Sequence, residues 1–222
     1  MSRTSMLVAV ALAALPIGAA GAQQLAPSGK CQLQFESNAK TRVSFTQQPS
    51  GEYNTYLGGG VRAHCPAQKM TLIADSAQSL GDQRVLYLIG HVHYTEPRLT
   101  LTSHRLTYYE ATERIVAEGD VHSRLPSGTT MVGPRAEYFR AVPGVRTQAH
   151  MISTGRPTFK IIQVDSSGKP AEPMTVIANR VATVADSLVF ASGRVEMTRP
   201  DVVAHGDSAA VDSGHEFARL MR

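Results

Sequence analysis

The sequence predicts an all-β chain built as an array of repeated strand pairs. Three observations carry that reading: a motif spacing near thirty residues that recurs, a closing glycine element that is Gly-x-Val in four copies and Gly155-Arg156-Pro157 in another, and period-two alternation with no sustained helical period or helix cap in residues 51–222. The reference copy is Leu72-Ile73-Ala74-Asp75-Ser76-Ala77, a turn at Gly81-Asp82-Gln83, the run Val85-Leu86-Tyr87-Leu88-Ile89, then Gly90-His91-Val92. It returns as Leu101-Thr102-Ser103-His104-Arg105-Leu106 with Ile115-Val116-Ala117 and Gly119-Asp120-Val121. It returns again as Val176-Ile177-Ala178-Asn179-Arg180-Val181 with Leu188-Val189-Phe190-Ala191 and Gly193-Arg194-Val195.

Residues 1–22 precede the array and have a different character. Arg3, an apolar run from Met6 through Ile17 and the small residues Ala20-Gly21-Ala22 form the three parts of a secretory signal, too short to span a bilayer. Cleavage is expected after Ala22. It leaves 200 of the 222 residues and lowers the formal net charge from +4 to +3. So mild an excess is compatible with an anionic partner but does not require one. With no long Lys/Arg run and only 6% aromatic residues, a nucleic-acid-binding role is not expected.

The chain has two cysteines, Cys31 and Cys65, both in the exported part. In an oxidising compartment the economical reading is one disulfide, worth about 3 to 4 kcal/mol for a loop of this size. The alternative is two unpaired buried thiols, which thiol titration of the unreduced protein separates.

Residues 23–54 read as a lead segment, polar except for the alternation Cys31-Gln32-Leu33-Gln34-Phe35, which puts Cys31, Leu33 and Phe35 on one strand face. The array then spans 55–222. Its first closing element is Gly58-Gly59-Gly60-Val61, which lacks the strand-then-helix context of a phosphate loop because Pro66 and a further strand pattern follow. Aligned copies give columns with physical meaning. Leu72, Leu101, Met131, Val176 and Ala204 are apolar, as an inward position requires. Two residues on, Ala74, Ser103, Gly133, Ala178 and Gly206 are all small, which suggests close backbone approach at a sheet corner. Next come Asp75, His104, Pro134, Asn179 and Asp207, mostly turn or bulge formers, and then apolar positions again. The strand is therefore expected to bend at the same place in every copy. In the closing elements, Val61, Val92, Val121 and Val195 are expected inside, with Arg62, His93, His122 and Glu196 outside.

The fourth copy is stretched: Met131 to Val176 spans 45 positions, and residues 163–173 have a loop's composition, which suggests a division into two lobes. The fifth starts at Ala204, turns at Asp212-Ser213-Gly214 and stops near Leu220, an unfinished copy with an open edge that another strand would cover.

Two chemistry-bearing groups compete with a binding role. His91, His93 and His122 share one strand side and are a possible metal site. The same columns hold Arg62, Asp120, Arg194 and Glu196, as a solvated face would, and no metal or other cofactor is expected. Glu110, Glu113, Glu118 and Asp120 gather near a turn as paired catalytic carboxylates do in a β-solenoid polysaccharide enzyme. They are spread over turn and outer positions, and no Gly-x-Ser-x-Gly element occurs. The chain is not expected to be an enzyme.

The leader, the Ala-Asp-x-Ala and Gly-x-Val elements, Gly206-Asp207-Ser208-Ala209 and Gly133-Pro134-Arg135-Ala136-Glu137-Tyr138 together resemble the OstA-like (organic solvent tolerance-like) family. That family includes periplasmic lipopolysaccharide-transport proteins and the N-terminal domain of the outer-membrane lipopolysaccharide-assembly barrel. The resemblance covers roughly residues 55–222. It departs from the family's simplest pattern in the lead segment with Cys31, in the long connection around Gly168 and in the C-terminal stop. It implies a twisted, partly open antiparallel β-jellyroll in the periplasm that shields the acyl chains of lipopolysaccharide or a similar envelope lipid. Its partners would be other jellyroll transport proteins, joined by edge-strand pairing. The interior that would hold the lipid is Val61, Leu72, Val92, Leu101, Val121, Met131, Val176 and Val195, with Tyr108, Tyr138 and Phe190 as further apolar contacts. A β-repeat scaffold that pairs edge to edge and carries no lipid is the alternative.

Overall fold

The computed structural model describes residues 33–36, 38–163, 172–215 and 217–221. Within them the regular elements are strands, apart from one-turn 3-10 segments at Pro66–Gln68 and Glu110–Thr112. The strands are β1 (Gln34–Glu36), β2 (Arg42–Gln47), β3 (Tyr53–Cys65), β4 (Met70–Leu80), β5 (Val85–Glu96), β6 (Leu99–Tyr109), β7 (Arg114–Arg124) and β8 (Thr130–Phe139). They continue as β9 (His150–Thr154), β10 (Thr158–Ile161), β11 (Met174–Ile177), β12 (Arg180–Val184), β13 (Leu188–Arg199), β14 (Val202–Asp212) and β15 (Phe217–Met221).

All join one antiparallel sheet in which chain neighbours pair. β9 and β10 lie end to end against β8, and β11 and β12 end to end against β13, so each couple acts as one long strand broken in the middle. β1 and β2 stand in the same relation to β3, so the lead segment contributes to the sheet.

The break has a local cause. Register slips between Gly58 and Val61, Ile89 and Val92, Glu118 and Val121, and Ser192 and Val195, where the odd strand carries one more residue than its neighbour. Two successive residues there have positive φ: Gly90 and His91 at 78° and 42°, Gly119 and Asp120 at 77° and 48°, Gly193 and Arg194 at 77° and 51°. Such a bulge bends its strand and sharpens the twist. Glycine is required for space as well as φ. A Cβ on Gly155 would lie 2.4 Å from Pro134 Cγ, and one on Gly193 would lie 2.8 Å from Asn179 Nδ2. The turn-forming column of the sequence is thus the row that packs on the bulge glycines.

The bends fold the sheet over on itself. One leaf carries 61–65, 70–74, 92–96, 99–103, 121–124 and 130–133; the other carries 53–58, 76–80, 85–89, 105–109, 114–118 and 135–139. A straight strand of β5's length would reach about 40 Å. Yet Tyr138, at the far end of one leaf, donates a hydrogen bond to Glu96, at the far end of the other. Only a sheet doubled along its glycine line brings those ends together. Both leaves turn their apolar faces into one core, which runs from Leu57 and Leu72 through Leu106, Ile115 and Val121 to Val176, Val195 and Val211.

The stretched fourth copy does not divide the molecule. β10 pairs with both β8 and β11, and β9 with both β8 and β12, so sheet and core run straight across it. The extra length goes into the 140–149 connection and residues 162–173, of which 164–171 lie outside the described residues.

Candidate functional site

The eight interior positions expected from the sequence lie in one continuous core. Val61 is 3% exposed, Leu72, Leu101, Met131 and Val195 are 1% exposed, and Val92, Val121 and Val176 are fully buried. Their neighbours Arg62, His93 and His122 face outward. Tyr108 and Tyr138 join the interior, whereas Phe190 does not: it pairs with Ala182 and Ala210 on the outer face and is 45% exposed. The next position, Ala191, is the inward one, and this corrects the expectation for Phe190.

This inner face continues to both ends of the stack. Val43 and Phe45 of β2 stand opposite Leu57 and Thr55, which point inward, yet they are 47% and 48% exposed because no further leaf covers them. At the other end Val202, in inward register with Val195 and Met197, is 50% exposed, and Leu220 packs against the core from β15. Among the described residues β1 and β2 pair only with β3, and β15 only with β14.

The side opposite the glycine line is where the two rows of hairpin ends meet, and at mid-stack it is closed by polar groups. Glu96 accepts hydrogen bonds from Tyr94 Oη at 2.9 Å, Tyr138 Oη at 2.5 Å and Arg140 Nε at 2.8 Å. Arg140 Nη1 donates to Gln68 Oε1 and, at 3.0 Å, to Glu113 Oε2, which also accepts from Tyr108 Oη at 2.8 Å. Glu96 and Gln68 belong to one leaf, Glu113, Tyr108 and Tyr138 to the other, and Arg140 bridges them. Burial, reinforced by the Glu96 carboxylate, pushes the hydroxyls of Tyr94 and Tyr138 well above the ordinary tyrosine range. Burial with Glu113 does the same to Tyr108. Burial opposes the charge of Arg140, but the carboxylates of Glu96 and Glu113 outweigh it and hold the guanidinium firmly protonated. Sequence reasoning missed this cluster. One part was legible, since Val92, Tyr94 and Glu96 alternate inward and a carboxylate at such a position needs a partner. Arg140 lies just past β8 in the stretched copy, where no periodicity places it.

The other chemistry-bearing residues are dispersed. His91 Nδ1 lies 2.8 Å from Asp75, and His122 Nε2 lies 3.1 Å from Asp120. Among the described residues no three His, Cys, Asp or Glu side chains converge on a metal-sized point. Of the four carboxylates near the turn, Glu110 pairs with Arg84, Glu118 with Arg135, Asp120 with His122 and Glu113 with Arg140. Each pairs with a different basic side chain. Outside the sandwich a recess of about 370 Å³ is lined by Gln83, Arg84, Tyr109, Thr112, Arg114 and Phe139. Arg114 stacks 4.3 Å over Tyr109, and Phe139 stacks on His150 at 4.5 Å.

Cys65 is buried and held in a disulfide; Cys31 and the leader 1–22 lie outside the described residues. Among the described residues no helix is long and apolar enough to cross a membrane. The chain matches no protein-family model and no curated protein sequence.

Proposed function

We propose that this chain is a periplasmic, non-enzymatic carrier or bridge for lipopolysaccharide or a similar amphipathic envelope lipid, built as an OstA-like β-jellyroll with the acyl chains shielded between its leaves. The observation that supports this most is the continuous, predominantly apolar inner face, from Val43 and Phe45 at one end to Val202 at the other, uncovered at both ends. A lipid with several acyl chains cannot cross water unshielded, because each exposed methylene costs about 0.8 kcal/mol. Open edges at β2 and β15 suit β-augmentation by a second jellyroll, which would prolong the apolar floor from one protein to the next.

The near-complete burial of Val92, Val121 and Val176 favours a second reading, a scaffold whose interior is simply a core and whose edges pair with envelope proteins. Photocrosslinking from Val121 in cells or with purified lipopolysaccharide separates the two, with outward-facing His122 as control. Lipid adducts at Val121 and none at His122 support the carrier. Protein adducts or none at Val121 leave the scaffold.

A further inference from the structure

We propose that the Glu96, Arg140 and Glu113 cluster is a latch along which the two leaves part, exposing the apolar interior sideways. This rests on the carrier reading and deepens it, since a core as closed as Val121's needs a route by which a lipid reaches it.

Three observations place the latch. First, the seam is the one line where the leaves meet without sharing a strand, and Arg140 spans it: Nε to Glu96, Nη1 to Gln68 and to Glu113. Second, the groups that meet there are polar. Parting an apolar seam strands hydrocarbon in water, whereas the bonds that run across this one, from Tyr138 and Arg140 to Glu96 and from Arg140 to Gln68, exchange a protein partner for water. A buried ion pair gives back on hydration much of what its mutual attraction supplied, so such a seam separates at lower cost than the rest of the core. Third, the opposite side is suited to flex. The ladder there is already interrupted between the long strands, at bulge glycines of alternate strands such as Gly90, Gly119 and Gly193 with φ near 80°, so leaf movement need not break regular pairing.

The test is thiol labelling of Val121→Cys in the oxidised protein, without lipid, over urea concentrations below the unfolding transition. The latch predicts labelling through an opening whose urea slope is well below that of global unfolding, in proportion to the part of the core it exposes. It predicts acceleration by about ten-fold or more in Tyr138→Phe, which keeps the ring and loses one bond to Glu96, and a larger acceleration in Arg140→Lys. Should Arg140→Lys fail to fold, the urea dependence in the otherwise unaltered chain and Tyr138→Phe still decide. Labelling that follows global unfolding throughout, with the full denaturant slope and no change beyond each variant's loss of global stability, overturns the latch. Crosslinking of lipopolysaccharide from Val121 is then read separately. Lipid adducts without labelling of this reduced urea slope overturn the latch and leave the carrier. Labelling of reduced slope without lipid adducts supports the latch and overturns the carrier.

Discussion

Asp75 lies across the bend from Gly90, so close that a Cβ on the glycine would meet its Oδ2 at 2.2 Å and its Cγ at 2.8 Å. The same carboxylate is 2.8 Å from Nδ1 of His91, the second residue of the bulge. Gly90→Ala is therefore expected to destabilise by roughly 1 to 3 kcal/mol, from the left-handed φ and the contact together. Asp75→Ala in the same chain recovers part of that loss. Gly155→Ala is expected to cost more than Gly90→Ala, because it meets the rigid ring of Pro134 at 2.4 Å. Urea unfolding of the three variants checks the order, and equal losses at Gly90 and Gly155 would count against it.

Val121 and His122 are adjacent and opposite in their surroundings. Val121→Ala removes two carbons from a fully buried site and is expected to cost about 2 to 3 kcal/mol. His122→Ala, on the outer face, is expected to stay within about 0.5 kcal/mol. Chemical denaturation of both variants would expose a misplaced register, since a shift by one residue exchanges the two outcomes.

At the seam, Arg140→Ala leaves Glu96 and Glu113 in place without their cation and is expected to destabilise by about 3 to 5 kcal/mol. Tyr138→Phe removes one of three hydrogen bonds to Glu96 and is expected to cost about 1 to 2 kcal/mol. A double-mutant cycle of Tyr138→Phe with Glu96→Gln measures the coupling, and strictly additive losses would show that the two groups do not act on each other.

His150, stacked on Phe139, is held below the usual histidine value of 6.5, first by burial and then by the charge of Arg146. The unfolded chain takes up the proton at the higher pH. The contribution of His150 to stability is therefore present above pH 6.5 and is lost as pH falls through the folded pKa. NMR titration should place its midpoint below 6.5. His150→Gln should flatten the stability difference between about pH 7.5 and about pH 5.5, and an unchanged difference would remove His150 as its source.

Much of this architecture is legible in the sequence because one side-chain column serves every copy. The valine after each bulge, the small residue at Ala74, Ser103 and Ala178, and the turn former beside it fix which face is buried and where the strand bends. Phe190 shows the limit of that reading. Its size suggests the interior, but its place between Val189 and Ala191, both buried, turns it outward. The seam was illegible for a different reason: contacts such as Arg140 to Gln68 depend on how far the sheet folds over, and strand periodicity carries no information about that angle.

Because each long strand, with the end-to-end couples counted as one, pairs with the next along the chain, the described residues are organised as a ladder that grows in one dimension. One copy of about thirty residues supplies two strands and so adds about 9.5 Å along the stacking direction. The number of copies acts as a ruler for the apolar space between the leaves. A hairpin inserted or removed in register would lengthen or shorten that space by a fixed step, leaving the cross-section set by the glycine line unchanged.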